Sequence, residues 1–351
     1  MARRLPIFLV LDVSESMAGQ DLKSLNDVVA SITAELRSDP FALETVWISV
    51  IAFAGKAKVL VPLQELVSFF PVELPVGGGT ALGQALTLLM DTIDSSINKT
   101  AGETKGDWKP VVYLITDGAA TDDTNTAIKR WKADFQRKAT LVAISVGGGA
   151  DLQILKQITE NVLDFDSKAE NAYARFAKWV SQSISTQSQK VAEGGDALPP
   201  ALQASRDEVV RPVEEMPATQ RSSTHPRNVI LLARCNKDRQ PYLIKYGQAS
   251  TSAERTSSQN VIYDTVETVR INDSYFEWSA NNAEQPRIDA SRLQANGTNC
   301  PYCQSSYWGV CQCQSILCVP GPGNYTCPWC SKGIRFGSEG GGDFSLGRGL
   351  G

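Results

Sequence analysis

A chain of 351 residues is too long for one ordinary domain, so its length predicts two domains. Hydrophobic residues make up 42% of it and charged residues 21%, as in soluble globular proteins. The formal net charge of −4 argues against general binding to nucleic acids or anionic membranes. No apolar run approaches the roughly 20 residues that span a bilayer. The N-terminus "MARRLPIFLVLDVSES" lacks the features of a secretory signal, so we expect a cytoplasmic protein.

Strand and helix patterns alternate along residues 1–186, which we take as the first domain. Five apolar segments predict buried strands, at residues 7–12, 46–53, 111–116, 140–146 and 162–165. Apolar residues at helical spacing predict helices over 22–36 and 82–97, and two more are expected at about 123–138 and 169–185. This alternation predicts an α/β fold of the Rossmann-like type, with a doubly wound, mostly parallel sheet.

Polar side chains stand where the predicted strands end. In "LDVSES", residues 11–16, alternate side chains of an extended segment point the same way, so Asp12, Ser14 and Ser16 are expected to converge. Thr80 follows three glycines at the start of the second helix, and Asp117 follows the third strand. Ligands of parallel sheets bind outside the carboxyl ends of the strands. Converging hard oxygen donors favour a cation such as Mg²⁺, whereas the alternative is a strand end with a Ser helix cap.

The order and spacing of these five residues resemble the metal-ion-dependent adhesion site of von Willebrand factor A (vWA) domains, over residues 5–185. The resemblance implies that the hydroxyls of Ser14, Ser16 and Thr80 bind Mg²⁺, or Mn²⁺ or Ca²⁺ in its place. It implies that Asp12 and Asp117 bind the ion directly or through water. Neutral hydroxyls leave a cation free to accept an acidic group of a partner protein, which favours binding over catalysis.

A hydrolase is the competing interpretation of the same sheet edge. The run "FLVLDVSES" superficially resembles the first motif of haloacid-dehalogenase (HAD)-type phosphatases. Those enzymes need a second Asp two residues after the nucleophile, and this chain has Ser14 there. No Cys precedes Cys235, and the single His of the chain is His225. The residues around Asp12 therefore supply no evident base or nucleophile, and we expect no enzymatic activity.

Composition changes after the fourth predicted helix. Residues 187–227 are polar, rich in Pro and poor in aromatic residues, which predicts a flexible linker between independently moving domains. Segments rich in β-branched residues and Tyr follow, so residues 228–336 are expected to form a small β-rich domain. The Gly-rich segment 337–351 is expected to be disordered.

Seven of the eight cysteines lie between Cys300 and Cys330. The pairs "CPYC" (Cys300, Cys303) and "CPWC" (Cys327, Cys330), separated by 23 residues, predict a zinc-ribbon-like site for Zn²⁺. A thioredoxin-like redox role would need a βαβ context, which this segment lacks.

Three further cysteines stand between these pairs, Cys311, Cys313 and Cys318. With Cys235 they would form a second set of four, or they are alternative ligands or buried small residues. Spacing alone leaves open one zinc ion or two.

The combination of both halves resembles the TerY-type tellurium-resistance proteins of bacteria. The resemblance rests on the order C-P-x-C, C-x-C, C, C-P-W-C and on the stretches "LRSDPFALETVWISVIAF" and "GDWKPVVYLITDG". It implies a non-enzymatic partner in a phosphorylation system, beside a Ser/Thr kinase and a metal-dependent (PP2C-type) phosphatase. Gln314 stands where a cysteine knuckle is expected to have Gly, which speaks against Cys311 and Cys313 as ligands.

Overall fold

The computed structural model describes residues 3–102, 105–193, 209–215, 227–249, 261–280, 286–294, 296–337 and 345–349. These residues form a seven-stranded sheet in the first part of the chain and a six-stranded sheet in the second. Among the helices of these ranges, none has the length and apolar character needed to cross a membrane.

The first domain is built on the seven-stranded sheet. Its strands are β1 (Leu5–Asp12), β2 (Val46–Phe53), β3 (Ala57–Glu65), β4 (Val111–Thr116), β5 (Thr140–Val146), β6 (Val162–Phe165) and β7 (Val210–Pro212). Its helices are α1 (Gln20–Arg37), α2 (Pro40–Thr45), α3 (Leu82–Ser96), α4 (Asn125–Arg130), α5 (Leu152–Ile158) and α6 (Ala172–Ala192). The strand order is β3-β2-β1-β4-β5-β6-β7, with only the edge strands β3 and β7 antiparallel to their neighbours. The predicted α/β fold is confirmed.

Strand β1 lies at the centre of this sheet, and all eight of its residues are buried. Its side chains alternate between two apolar layers. Leu9 and Leu11 belong to the layer with α1 and α6, whereas Phe8 and Val10 belong to the layer with α3, α4 and α5. Asp12 is therefore the last residue of a strand that is covered on both faces, at the edge where β4 also ends.

Two parts of the chain differ from the prediction. Strand β3 was not predicted, because it is half-exposed along most of its length and contains Pro62, and so lacks the continuous apolar run of a central strand. The segment predicted as a linker contributes to the first domain, because α6 continues to Ala192 with Val191 buried, and β7 pairs with β6. The rest of the predicted linker, 194–208 and 216–226, lies outside the described residues.

The second domain is β-rich, as predicted. Its elements are β8 (Asn228–Arg234), β9 (Pro241–Gln248), β10 (Tyr263–Arg270), α7 (Ser274–Trp278), β11 (Arg287–Asp289), β12 (Leu293–Gln294), β13 (Tyr307–Val310), β14 (Ile316–Val319), β15 (Gly323–Thr326), β16 (Gly333–Phe336) and β17 (Ser345–Gly347). The sheet order is β12-β10-β9-β8-β14-β13, and β15 and β16 form a separate hairpin. Strand β17 lies in the tail predicted to be disordered, and it pairs with β11; residues 338–344 and 350–351 lie outside the described residues.

The two domains contact each other beside the end of β1. The buried Lys245 amine of β9 donates to a carboxylate oxygen of Asp21 in α1, at 2.7 Å. The Tyr275 hydroxyl of α7 donates to the Glu15 carboxylate at 2.8 Å, and Trp278 packs into the apolar layer that contains Leu9. Independent movement of the domains was the expectation from the linker, whereas the described parts pack against each other.

Candidate metal centres

The five predicted oxygen ligands meet at the edge where β1 and β4 end. The Ser14 backbone N–H donates to Asp12 Oδ1 at 2.9 Å, which folds the chain back after β1. The Ser14 and Ser16 hydroxyl oxygens lie 3.0 Å apart, and the Ser16 hydroxyl donates to Asp117 Oδ1 at 2.7 Å. The residues that spacing predicted to converge are thus hydrogen-bonded neighbours.

Thr80 is brought to the same place by its glycine-rich loop. Gly77 forms a parallel bridge with Ser14, and Gly79 has a φ of +100°, a left-handed conformation that favours glycine. The Thr80 N–H donates to the Thr121 hydroxyl at 2.8 Å. A Cβ atom on Gly118 would lie 3.1 Å from Thr80 Oγ1 and 3.8 Å from Asp12 Oδ2, so only a glycine leaves this space open.

The Thr80 hydroxyl shows that these residues fit a hard cation. Its oxygen is buried and has no hydrogen-bond partner in the described part of the chain. An unsatisfied buried polar group costs about 1–3 kcal/mol. Coordination to a cation held by the neighbouring oxygens would satisfy it, and an all-oxygen set of hydroxyls and carboxylates suits Mg²⁺, Mn²⁺ or Ca²⁺.

Electrostatics favour a cation at the same point. Burial raises the pKa of Asp12 to about 6, although hydrogen bonds from Thr116 and Ser14 lower it. Burial and the nearby Asp12 carboxylate raise the pKa of Asp117 to about 7. Asp12 is buried and Asp117 partly buried, and a divalent cation between two carboxylates that repel each other stabilises both in their charged forms.

Thr116 is a contributor that the sequence analysis did not single out. Its hydroxyl donates to Asp12 Oδ2 at 2.6 Å, and the residue is buried. The pairing of Ile115 with Leu11 places Thr116 beside Asp12. In the sequence, Thr116 stands directly before Asp117, but a threonine at that position is equally well explained as the last residue of a buried strand.

Replacing Thr116 with Val should lower the affinity for Mn²⁺ about 10- to 100-fold, because the loss of a hydrogen bond to a ligand carboxylate misorients that ligand. Calorimetric titration of the zinc-loaded protein with Mn²⁺ measures the change. Thr92→Val is the matched control, since the Thr92 hydroxyl donates to Leu88 O within α3. Equal Mn²⁺ affinity in the two variants would contradict an orienting role for Thr116.

The eight cysteines form two groups of four, and none of them is in a disulfide. The first tetrad is Cys235, Cys300, Cys303 and Cys318, and the second tetrad is Cys311, Cys313, Cys327 and Cys330. Within each tetrad all four sulfurs lie within 4.8 Å of one another. The sulfurs of Cys303 and Cys318 are 3.4 Å apart, and those of Cys313 and Cys327 are 3.8 Å apart. Four thiolates tetrahedral about Zn²⁺, at about 2.3 Å from the metal, would be about 3.8 Å apart, so both tetrads fit this ion.

This pairing corrects the predicted zinc site. The spacing of the two C-x-x-C pairs predicted one site made of Cys300, Cys303, Cys327 and Cys330, whereas each pair belongs to a different tetrad. The reason is the strand pairing: β14 runs parallel to β8, with Leu317 opposite Arg234, so Cys318 lies next to Cys235 despite their distance in sequence. The first tetrad is completed in this way by a residue that lies outside the cysteine-rich segment.

Four tight turns in the tetrads share one backbone conformation, and they begin at Cys235, Cys300, Cys311 and Cys327. The residue that closes each turn has a positive φ: Arg239 (59°), Gln304 (63°), Gln314 (64°) and Ser331 (61°). In each turn, this residue's N–H donates to a cysteine carbonyl, as from Gln314 to Cys311 at 2.8 Å. Gln314 thus adopts the conformation for which Gly was expected, and Cys311 and Cys313 belong to the second tetrad, a possibility that their spacing had left open.

Backbone amides also point at the sulfurs. The N–H of Asn236 donates to Cys318 Sγ at 3.2 Å, and the N–H of Trp329 donates to Cys327 Sγ at 3.4 Å. Segment 300–331 contains no Asp, Glu, Lys or Arg, so amide dipoles and a bound metal ion would balance the negative charge of thiolates there. Four-sulfur sites of this kind have no open position for a substrate and are structural.

Two family models match the chain. Residues 7–184 match the von Willebrand factor type A domain, and residues 226–351 match the TerY-C metal binding domain. A search among curated proteins finds no match.

Several solved structures are similar to the first domain. Proximal thread matrix protein 1 from the mussel byssus, with a zinc-occupied MIDAS motif, is 18% identical over 53% of this chain and 46% of its own, with a TM-score of 0.38. A von Willebrand factor type A protein from Catenulispora acidiphila is 15% identical over 53% of this chain and 43% of its own, with a TM-score of 0.39. BatB from Bacteroides thetaiotaomicron is 18% identical over 52% of this chain and 99% of its own, with a TM-score of 0.35. The chain therefore spans less than half the length of the byssus and Catenulispora proteins.

Proposed function

The chain belongs to the von Willebrand factor type A domain family and carries a TerY-C metal binding domain after it, and from this we propose a non-enzymatic, metal-dependent protein-interaction adaptor. The vWA domain binds an acidic group of a partner through a cation, which we take to be Mg²⁺. Its ligands are Asp12, Ser14, Ser16, Thr80 and Asp117. The observation that carries the proposal is the Thr80 hydroxyl, buried without a partner among the other four.

The chemistry of the ligands supports binding rather than turnover. Three of the five are neutral hydroxyls, which leave most of the positive charge of a divalent cation uncompensated. A carboxylate or phosphate of a partner is the ligand that such a cation attracts most strongly. A HAD-type hydrolase would need a carboxylate at position 14, where Ser14 instead lies 3.0 Å from the Ser16 hydroxyl oxygen.

We assign Zn²⁺ to both cysteine tetrads, with a structural role. The apolar cluster around the first tetrad contains the buried thiols of Cys235, Cys300 and Cys318 beside side chains of β8 and β9. In this proposal, metal–sulfur bonds hold together the part of the domain whose strands, β13 to β16, are only four residues long. Eight free thiols suit a reducing compartment, which supports a cytoplasmic location for the adaptor.

The partners in this proposal are proteins of a bacterial tellurium-resistance and stress phosphorylation system, a Ser/Thr kinase and a PP2C-type phosphatase. This part rests on the resemblance of the whole chain to TerY-type proteins. The two domains offer separate surfaces, so a kinase and a phosphatase can be held on one chain at a raised effective concentration.

The test is co-purification of the full zinc-loaded chain with host proteins, with and without a chelator at a dose that leaves the zinc content unchanged, followed by addition of Mg²⁺ alone or Zn²⁺ alone. We expect partners that are lost on chelation and restored by Mg²⁺. Ser16→Ala should lose the same partners, whereas Ser24→Ala should retain them, since Ser24 is a half-buried serine of α1 whose hydroxyl accepts from Gln20 Nε2 at 3.3 Å. Partners that ignore the chelator, or that Ser16→Ala still binds, would refute the cation-dependent role; cation-dependent partners other than a kinase or phosphatase would refute only their assignment.

A further inference from the structure

We propose that the second domain helps to form the cation site. Its contact with Glu15 positions the loop that carries the proposed ligands Ser14 and Ser16. Docking of the two domains and cation binding are therefore coupled. This inference rests on the proposed function of the vWA site and concerns its regulation.

Glu15 is the point of contact. It lies between two of the proposed ligands in sequence, and only 1% of its surface is exposed. The Tyr275 hydroxyl of α7 donates to Glu15 Oε2 at 2.8 Å, and a Cβ atom on Gly349 would lie 1.7 Å from Glu15 Oε1. A Cβ atom on Gly78 would lie 2.7 Å from Glu15 Oε2, so the carboxylate lies between the Thr80 loop and the second domain. A buried carboxylate held in this way fixes the backbone on both sides of it, which is the backbone of Ser14 and Ser16.

The Thr80 loop is held by the same surface. Gly78 N–H donates to the Ser279 hydroxyl at 2.8 Å, and Ala280 N–H donates to Gly78 O at 3.0 Å. A Cβ atom on Gly77 would lie 2.6 Å from the Trp278 Cβ, and one on Gly55 would lie 1.9 Å from the Ala280 nitrogen. These glycines thus allow the second domain to approach, in addition to shaping the turn before Thr80.

A charged contact adds to the docking. Lys245, 4% exposed, donates to Ala18 O at 3.4 Å and to Asp21 Oδ2 at 2.7 Å. The second domain is therefore tied by a buried charged side chain to the segment that follows the Ser14–Ser16 loop.

These contacts have a reciprocal consequence. If docking orders the Ser14–Ser16 and Thr80 loops, loss of docking weakens cation binding, and cation binding strengthens docking by the same factor. Coupling between two sites in proteins changes affinity by about 5- to 150-fold. The state of the zinc-bearing domain is in this way transmitted to the vWA site, although the two sets of metal ligands share no residue.

The test uses the full zinc-loaded chain and Mn²⁺ as the probe. Tyr275→Phe removes only the hydroxyl that reaches Glu15, and Gly77→Ala places a methyl group against Trp278. We expect both variants to bind Mn²⁺ about 10-fold more weakly than the wild type, within the usual range of coupling. Tyr307→Phe is the matched control, because Tyr307 is 67% exposed on β13, and its affinity should be unchanged. Unchanged zinc content verifies that each second domain is folded.

A second readout measures docking directly. Mn²⁺ should slow hydrogen exchange about 10-fold at residues 274–280 of the wild type, because the Ala280 amide donates to Gly78 across the interface, and not in Tyr275→Phe. Wild-type Mn²⁺ binding that both variants retain, with exchange unaffected by Mn²⁺, would overturn the coupling alone. Absence of Mn²⁺ binding to the wild type would overturn the proposed function together with it.

Discussion

Purified protein is expected to contain two zinc ions per chain, and their removal should unfold the second domain while residues 5–185 stay folded. A structural zinc site contributes about 10–16 kcal/mol of apparent binding free energy, which exceeds the stability of an ordinary small domain. The first domain has apolar layers on both faces of its sheet and no cysteine. Elemental analysis gives the zinc content, and hydrogen exchange after chelation shows which residues have lost protection.

Paired substitutions separate the two possible groupings of the cysteines. The double variant Cys235→Ser, Cys300→Ser removes two ligands of the first tetrad and should retain one zinc ion. The double variant Cys300→Ser, Cys327→Ser removes one ligand of each tetrad and should retain none. A site made of Cys300, Cys303, Cys327 and Cys330 would give the second variant no greater loss than any single substitution in that site. Disulfides mapped among these cysteines in zinc-free protein would refute both groupings.

The second large effect concerns the cation site itself. Thr80→Val should lower Mn²⁺ affinity by at least about 100-fold, since it removes a ligand rather than a residue that orients one. The same change should raise the free energy of unfolding of the cation-free protein by about 1 kcal/mol, because it removes a buried hydroxyl that has no hydrogen-bond partner. Mn²⁺ titration and denaturant unfolding without divalent cation measure the two effects.

A different buried threonine, Thr45, provides the control, because its replacement should change the free energy of unfolding in the opposite direction. The Thr45 hydroxyl is buried and contacts Phe41 O and Ser188 Oγ, each at 2.8 Å. Thr45→Val should therefore lower the free energy of unfolding and leave Mn²⁺ affinity unchanged. A Thr80→Val protein that is destabilised like Thr45→Val, and that binds Mn²⁺ normally, would show that Thr80 has only a structural role.

Local sequence patterns were sufficient to predict the central strands of the first domain. Each central strand is a mostly apolar run, interrupted only by single polar residues such as Ser49 and Asp164, because strands covered on both faces need no alternation. The five predicted strands are confirmed as β1, β2, β4, β5 and β6.

Asp12, Ser14 and Ser16 meet as expected, but a turn after Asp12 and a 3-10 helix over Glu15–Met17 bring them together rather than the periodicity of an extended strand. The proximity of Asp12 to Asp117 followed from the predicted parallel sheet, in which the carboxyl ends of β1 and β4 lie at the same edge. The predicted order of a vWA domain followed by a TerY-C-type domain is confirmed as well.

Long-range pairing set the limit of the sequence analysis. Cys235 joins Cys318 only because β8 and β14 are adjacent in the sheet, and no spacing rule contains that pairing. The contact of Glu15 with Tyr275 joins residues 260 positions apart, and nothing in either segment marks the other. Strand β7 is three residues long and gives no periodicity to detect. In each case the determining contact is tertiary, whereas the sequence pattern reports only local preference.

The hairpin of β13 and β14 belongs to both cysteine tetrads. Its turn carries Cys311 and Cys313 of the second tetrad, and its second strand carries Cys318 of the first. A hairpin already ordered by one metal ion presents the ligands of the other site without a further loss of conformational entropy, so the second ion binds more readily than the first. If both tetrads take Zn²⁺ as proposed, we expect its loading to be cooperative, with chains that hold a single ion as the minor species. The domain is then expected to pass from empty to full over a narrower range of free metal than two independent sites would.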